Sequence, residues 1–504
     1  MVAKASAQDR RVKELERSGA DMQRQVSVLV DAIARVEEKG YQQDATGFDR
    51  GAADRLALGD EADAVVLLGR EAREAATQAQ ASSKLAAKLY REQAALLRLS
   101  SPEKALAALQ LAVSLAPQDH EALADAGDVA LVLGDLKAAK GYYEQIARLG
   151  RTLLGSGDLE SSRKLIALGS RKVGETRQLQ GDLPRALESF QAAADQLELA
   201  VSHSPGDKSL RRELAQSQEQ VADVLLGQAL FQRAREQLQK ALIIRKALAE
   251  EGREEDVIAQ AIADRLRGDI ELSQGEVAVG LAGRATSFES LALRNNAQFL
   301  AVLMTPHLIE RQLREGKEVK FGALESARLY AKVFNNPDLD AARQSYRISM
   351  EASKRLFQNN PRARAAQSLY ASSLERIAYI QAWNYDWAGV SESLKASVAI
   401  RVALMEAEPT VLRWSLAAIA TYWDVGTLLA GPGSATDRVE ALVKGQQLLE
   451  GLQRQGMLRG DAASWPAKFE EALTRARWEA NLFDFQPQSE PKPESTIASP
   501  VPNA

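Results

Sequence analysis

The sequence predicts an all-α fold built from repeated helix pairs, and three observations support this. Apolar residues recur every three or four positions through long stretches such as 212–244 and 365–404, without alternating β-branched runs. Small residues recur twelve positions apart, and a large residue follows four positions later. Prolines follow the predicted helices instead of interrupting them, because the residue before a proline is disfavoured in the α conformation.

The composition excludes several classes of function. The 504 residues are 45% hydrophobic and 26% charged, which is ordinary for a globular protein. Cysteine is absent, so disulfides, thiolate nucleophiles and cysteine–zinc sites are excluded. The three histidines lie far apart in the sequence, which leaves little for a histidine-based metal site. A net charge of −4 disfavours non-specific nucleic-acid binding.

No targeting or membrane segment is visible in the sequence. The first residues hold no continuous apolar stretch of the kind found in a secretory signal. No stretch approaches the ~20 apolar residues of a membrane-spanning helix. We therefore expect a cytoplasmic protein that does not bind a membrane, and the lack of cysteine agrees with this.

The first predicted element is an amphipathic helix within residues 1–48. Its seam residues are separated alternately by three and four positions: Val12, Leu15, Gly19, Met22, Val26, Leu29, Ile33 and Val36. This register is typical of a coiled coil and predicts a homodimer through residues 10–38. The alternative is a helix that folds onto the first repeats, which Gly19 favours because it weakens the seam.

Residues 49–272 are predicted to form helical repeats. The small-residue pairs are Gly127 with Ala139, Gly174 with Ala186, and Ala222 with Ala234. The large residues that follow them are Tyr143, Phe190 and Leu238. Small residues let two helix backbones cross closely, and the large residue lies one turn further along the same face. Glycine in the turns at Gly134-Asp135 and Gly181-Asp182 permits the left-handed conformation that ends a helix.

Residues 337–480 are predicted to contain further repeats and a helical cap. A constant offset of 156 residues relates Pro205 to Pro361, Glu219 to Glu375, Ala222 to Ala378, and the segment 243–248 (IIRKAL) to 399–404 (AIRVAL). Residues 273–336 between the two arrays fit no unit, and they are degenerate repeats, an insertion or a break between two sub-arrays. Residues 481–504 are polar and proline-rich, which predicts a disordered tail.

At these residues the chain resembles bacterial tetratricopeptide repeat proteins. The resemblance is clearest over 173–197 and 420–433, and residues 448–473 are similar to the helical end cap of such arrays. It implies a right-handed superhelix of antiparallel helix pairs. Family arrays often accompany a Toll/interleukin-receptor-like or caspase-like effector domain, and no such domain is visible in this sequence. The resemblance thus implies a partner-binding or sensing array and does not imply an enzyme.

Motifs for catalysis and cofactor binding are missing from the sequence. There is no G-x-x-x-x-G-K-[ST], H-E-x-x-H or G-x-S-x-G motif. The nearest glycine-rich stretch, residues 280–287, lacks the lysine of a phosphate-binding loop. Carboxylate pairs such as Glu470-Glu471 lie on polar helix faces. We therefore predict no catalytic, cofactor-binding or metal-binding residue and no cofactor.

All six tryptophans lie in the last quarter of the chain. Trp383, Tyr385 and Trp387 occupy a turn where other units carry Gly-Asp. With Trp414 and Trp423 they are candidates for an aromatic patch that grips a partner, since aromatic residues dominate many interfaces. The alternative is that these side chains fill the core at a capping end of the array.

These observations predict a non-catalytic scaffold for protein–protein interaction, which binds a partner protein or peptide in the groove of the solenoid. One alternative is a sensor or regulatory subunit of a bacterial signalling or defence effector whose catalytic domain lies on another chain. Another alternative is a helical-repeat enzyme with its site in residues 273–336.

Overall fold

The structure is a computed structural model of the chain. It describes residues 64–70, 81–155, 157–278, 336–383, 386–409, 411–428, 435–455, 458 and 464–483. Every regular element within these ranges is a helix, as the sequence predicts. The predicted coiled coil, the tail beyond residue 483 and most of the stretch 273–336 lie outside the described residues.

Residues 64–70 are helical, and a series of longer helices follows them. These are α1 (Ala81–Ser100), α2 (Pro102–Leu115), α3 (His120–Val132), α4 (Leu136–Leu154), α5 (Leu159–Leu179), α6 (Leu183–His203), α7 (Lys208–Gly227), α8 (Phe231–Ala249), α9 (Glu254–Ala278), α10 (Pro337–Asn359), α11 (Arg364–Trp383), α12 (Trp387–Ala407), α13 (Leu412–Leu428), α14 (Ala435–Arg454) and α15 (Trp465–Phe483). The helical region thus reaches Phe483, slightly beyond the predicted end at residue 480.

The helices pack in sequence order as antiparallel pairs. From α3–α4 to α13–α14, each pair forms a repeat unit, and its two members are called the first and second helix below. Each helix packs mainly against the helices that precede and follow it in this order. Serial packing of this kind defines a solenoid, in which the units bury one continuous core. The described part of the chain is therefore an all-α solenoid of antiparallel helix pairs.

A small residue in the first helix and a large residue in the second meet at the centre of each unit. A Cβ built on Gly174 would lie 2.7 Å from the ring of Phe190, and one on Gly127 would overlap the ring of Tyr143. Ala139 and Ala186 are fully buried at the second small position. Because the aromatic ring rests directly on the backbone of the facing helix, any added side-chain atom must displace it.

The pair α9–α10 has the same crossing, although residues 279–335 separate its helices along the chain. A Cβ on Gly268 would lie 2.5 Å from the ring of Tyr346, as in the units described above. Asn336 caps α10 and donates its side-chain amide to the Gly275 carbonyl at 3.0 Å, which joins the start of α10 to the end of α9. The helices α9 and α10 therefore form one unit of the array, and the nature of the residues between them stays a prediction.

Among the described turns within units, those of α3–α4 and α5–α6 follow the Gly-Asp pattern, and that of α7–α8 departs from it. Gly134 and Gly181 adopt φ values of 78° and 75°, and the aspartate after each accepts a hydrogen bond from the new helix. The turn of the α7–α8 unit instead contains Ala229, which has φ 59°, and Leu230, which provides no side-chain cap. The left-handed conformation is strained for alanine.

An early helix also contacts the carboxyl-terminal end of the array. A core cluster formed by α13, α14 and α15 contains Trp423, Leu442, Trp465 and Phe469. Val132, at the end of α3, packs against this cluster. The solenoid therefore turns far enough to bring an early unit to its carboxyl-terminal end. Among the described helices, none has the length and apolar character that a bilayer span requires.

Candidate functional site

The first helices of successive units are joined by a series of polar contacts, which we call the polar ladder. The contacts are Lys172 Nζ to Asp128 Oδ1 at 2.8 Å, Gln220 Nε2 to Glu175 Oε1 at 3.2 Å, Gln178 Nε2 to Asp223 Oδ2 at 2.9 Å, Arg376 Nε to Asp269 Oδ1 at 2.9 Å, and Thr421 Oγ1 to Glu375 Oε1 at 2.7 Å. They define one surface of the solenoid, the first-helix face, which runs along α3, α5, α7, α9, α11 and α13.

Two tyrosines tie the ladder to the helix crossings. The hydroxyl of Tyr143 donates to Asp128 Oδ1 at 2.7 Å, and the hydroxyl of Tyr346 donates to Asp269 Oδ1 at 2.7 Å. In both units the aspartate directly follows the glycine on which the ring lies. The same ring therefore fills the crossing and fixes the orientation of a carboxylate on the first-helix face.

Two units also contain a buried carboxylate–arginine pair between their own helices. In the α7–α8 unit, Arg245 Nε donates to Glu219 Oε1 at 2.7 Å and a second nitrogen donates to Oε2 at 3.0 Å. In the α11–α12 unit, Arg401 Nε donates to Glu375 Oε1 at 3.3 Å. These four residues belong to the segments related by the 156-residue offset, so the sequence repeat corresponds to a repeated contact.

The pKa values of the two carboxylates are shifted in opposite directions. Burial raises the pKa of Glu219, and the two hydrogen bonds from Arg245 only partly oppose this. Burial also acts to raise the pKa of Glu375, but the charge of Arg401 and hydrogen bonds from Ser397 and Thr421 bring the pKa below its ordinary value. The Ser397 hydroxyl donates to Glu375 at 2.6 Å. The additional hydroxyl donors account for the difference between the two units.

The unit between these two lacks the pair. In the neighbouring units, Glu219 and Glu375 lie three residues before the small residue of the first helix. In the middle unit this position is occupied by Arg265. In the second helices, Arg245 and Arg401 lie at equivalent positions of the neighbouring units. In the middle unit this position is occupied by Ser353. The carboxylate is thus replaced by a cation, and the arginine by a buried serine.

Arg265 has no partner among the described residues. Its Nε is buried and donates no hydrogen bond, while part of the side chain remains accessible. The nearby carboxylates are already engaged, because Asp269 is bonded to Tyr346 and Arg376, and Glu375 is bonded to Arg401. Burial lowers the pKa of Arg265, and the charge of Arg376 adds to this effect.

An arginine at the equivalent position of another unit shows the contrast. Arg171 occupies the equivalent position in α5, three residues before Gly174, and reaches Glu175 at 3.4 Å, one turn along its own helix. Asp269 stands in the same relation to Arg265 but is turned to Tyr346 and Arg376. Sequence reasoning missed Arg265, because its unit could not be placed until Gly268 was seen to pack against Tyr346.

The predicted aromatic patch is not assembled as one surface in the described residues. Trp414 and Trp423 are each 5% exposed; Trp414 donates to Glu408 at 2.7 Å, and Trp423 lies 4.9 Å from the ring of Phe469. Trp387 is half-buried and packs against the core of the α11–α12 unit. The side chains of Trp383 and Tyr385 lie outside the described residues. This arrangement favours the core interpretation for Trp414 and Trp423.

No protein-family model matches the chain, and no curated protein sequence matches it. Solved structures that the chain matches include BtubC from P. vanneervenii, which is 12% identical, with 73% of this chain and 99% of that chain covered and a TM-score of 0.26. Yeast Tom70 is 12% identical, with 87% and 96% covered and a TM-score of 0.16. The TPR domain of P58(IPK) is 14% identical, with 86% and 96% covered and a TM-score of 0.17.

Among the described residues, no group of three acidic or histidine side chains could hold a metal ion. Within the described part of the chain, the first-helix face instead offers hydrogen-bond donors and acceptors and, in Arg265, a cation without a partner. Its chemistry is that of recognition through polar contacts.

Proposed function

We propose that this chain is a non-catalytic scaffold that binds a segment of a partner protein against the first-helix face. The observation that carries the proposal is the polar ladder, which places buried, hydrogen-bonded charges along one face. Buried ion pairs add little to stability compared with apolar residues of similar size, so stacking of units alone does not account for them. We infer that they serve the recognition of a polar ligand.

The same face contains residues that a partner can reach. Gln216 lies one turn before Gln220 on α7 and is exposed. Ile262 lies three residues before Arg265 on α9 and is 39% exposed. Residues at these spacings share one side of a helix. Exposed residues therefore lie beside the buried polar ladder. Protein–protein interfaces commonly combine polar and apolar contacts in this way.

The proposal is tested by capturing partners from the native host with the intact chain and two matched variants. Ile262→Glu alters the first-helix face, and Ile243→Glu alters α8, where Ile243 is 63% exposed. We expect Ile262→Glu to lose the captured protein at least tenfold and Ile243→Glu to retain it. Circular dichroism confirms that both variants fold. Retention of the same protein by both variants would contradict binding at this face.

The identity of the captured protein separates the scaffold from the alternative sensor subunit. A partner that carries a catalytic effector domain supports the sensor or regulatory subunit, and a partner without one supports the scaffold. The proposal keeps a cytoplasmic location, which the absence of cysteine supports. The homodimer through residues 10–38 stays a prediction, tested by light scattering of the full chain and of a chain lacking residues 1–40.

A further inference from the structure

Arg265 is the residue at which the internal pattern of the array is broken. The units on either side place a carboxylate at this position and satisfy it with an arginine from their own second helix, Glu219 with Arg245 and Glu375 with Arg401. At Arg265 the sign of the charge is reversed, and the position opposite holds Ser353. Neither substitution restores a pair within the unit.

The surroundings of Arg265 leave it as a surplus positive charge. The two other arginines whose charges act on Arg265 are paired: Arg376 is bonded to Asp269 at 2.9 Å, and Arg401 is bonded to Glu375 at 3.3 Å. These two pairs balance each other in charge, and Arg265 remains. A guanidinium whose Nε is buried without a partner is unfavourable for folding, since the lost hydration is not replaced.

We propose that Arg265 binds the carboxylate of an aspartate or glutamate side chain in the partner segment. The inference rests on the proposed function, and it names the chemistry that the first-helix face selects. A carboxylate neutralises the surplus charge, and its two oxygens match the forked donors of a guanidinium. The half-buried position of Arg265, next to the 39%-exposed Ile262, allows a ligand to reach it from the accessible side of α9.

A phosphate group shares this anion chemistry, and the test includes it as a separate arm. A positional-scanning library of ten-residue peptides is bound to the full chain, with one position fixed and the others mixed. The fixed residue is aspartate, glutamate, asparagine, glutamine, lysine or phosphoserine. We expect one position at which aspartate or glutamate is preferred about tenfold or more over its amide, as a charge-assisted hydrogen bond provides.

Matched variants assign the preference to Arg265. In Arg265→Gln the acidic preference should disappear at that position, while preferences at other positions remain. Arg171→Gln is the control, because Arg171 occupies the equivalent position but is paired with Glu175, and it should leave the acidic preference unchanged. A preference for phosphoserine over both acids, or an acidic preference that survives Arg265→Gln, would overturn the proposal.

The same library separates this inference from the proposed function. If the chain selects peptides without any acidic preference, binding at the face stands and the role of Arg265 fails. If no pool binds above a scrambled background, both fail. Melting temperature gives a second readout: Arg265→Leu should melt at the same or a higher temperature than the unaltered chain, whereas a structural arginine would lower it when removed. A clearly lower melting temperature would count against a ligand-binding role.

Discussion

The α9–α10 unit and its two neighbours share one steric design and differ in their charges. All three place a large side chain from the second helix against a small residue of the first: Leu238, Tyr346 and Leu394. The outer two join their helices through a buried carboxylate–arginine pair, and the middle unit does not. The comparison shows that the two helices of a unit pack together through the contact of the small and the large residue, because this contact is present in the middle unit, where the carboxylate–arginine pair is absent. Charge at the first-helix face is therefore free to serve another purpose.

The largest expected effect comes from breaking the pair in an outer unit. Arg401→Leu leaves Glu375 buried without its cation, which should lower the free energy of unfolding by about 3–5 kcal/mol. Urea unfolding followed by circular dichroism measures the loss, and hydrogen exchange in α11 locates it. The matched change in the middle unit, Arg265→Leu, should cause no loss. Equal losses from the two variants would remove the distinction between the units.

The next prediction tests whether α9 and α10 cross in the same way as the helices of the other units. Gly127→Ala and Gly268→Ala each force a Cβ into a tyrosine ring, and each should lower stability by about 1–3 kcal/mol. Gly141→Ala is the control, since a Cβ there meets nothing within 4 Å and alanine favours the helix by about 0.5–1 kcal/mol. Thermal unfolding measures all three. A neutral Gly268→Ala would mean that α9 and α10 do not form a unit of the same kind.

The outer units themselves should differ in their response to pH. The pKa of Glu375 is lowered by folding, so its contribution is present above its unfolded pKa and is lost as the pH falls through the folded pKa. The pKa of Glu219 is raised, so its contribution is present below the unfolded pKa and is lost as the pH rises through the folded pKa. Urea unfolding between pH 3 and 7 gives the free energy of unfolding of the unaltered chain, of Glu375→Gln and of Glu219→Gln. The free energy of the unaltered chain minus that of the variant should rise with pH for Glu375→Gln and fall with pH for Glu219→Gln.

Two difference curves with the same sign would show that the hydroxyls of Ser397 and Thr421 do not distinguish the two sites. Thr421→Val provides the matched control, because it removes one of these donors and keeps Arg401. In this variant, the contribution of Glu375 to the free energy of unfolding should be lost at a higher pH. The reason is that the carboxylate loses a hydrogen bond that favours its charged form.

The smallest expected effect is a gain in stability at the irregular turn of the α7–α8 unit. Ala229→Gly relieves a left-handed alanine, and Leu230→Asp supplies the missing cap of α8. Together they should raise the free energy of unfolding by about 1–2 kcal/mol, because the neighbouring turns already use this pair of residues. Thermal unfolding measures the gain, and Asp182→Ala should lose about 1 kcal/mol at an intact turn. No gain would mean that the strain at Ala229 is compensated elsewhere.

Much of the fold could be predicted from local spacing in the sequence. The small residue Gly174 and the large residue Phe190 meet in the structure because helical periodicity puts them on facing sides of one hairpin. The turn at Gly181 could be predicted because few other residues adopt its φ of 75°. The α9–α10 unit escaped prediction, since the rule depends on a fixed distance along the chain and residues 279–335 break that distance.

The candidate site was less accessible to sequence reasoning. The aromatic residues Trp414 and Trp423 attracted attention as unusual residues, but burial decides whether a side chain faces a partner or the core. Arg265 carries no local signal, because arginine on a helix is ordinary. Its meaning appears only when Gly268 is aligned with Ala222 and Ala378 and the contacts of the neighbouring carboxylates are known.

The sequence by itself determined the helices, their turns and the close crossings within hairpins, because these depend on residues within about one repeat of each other. The tertiary structure decided which first helices touch, which charges are paired and which cation is left over. Those contacts join residues such as Lys172 and Asp128, which lie in different units and are brought together by stacking. The strength of an ionic contact depends on burial and on competing partners, and both exist only once the units have packed.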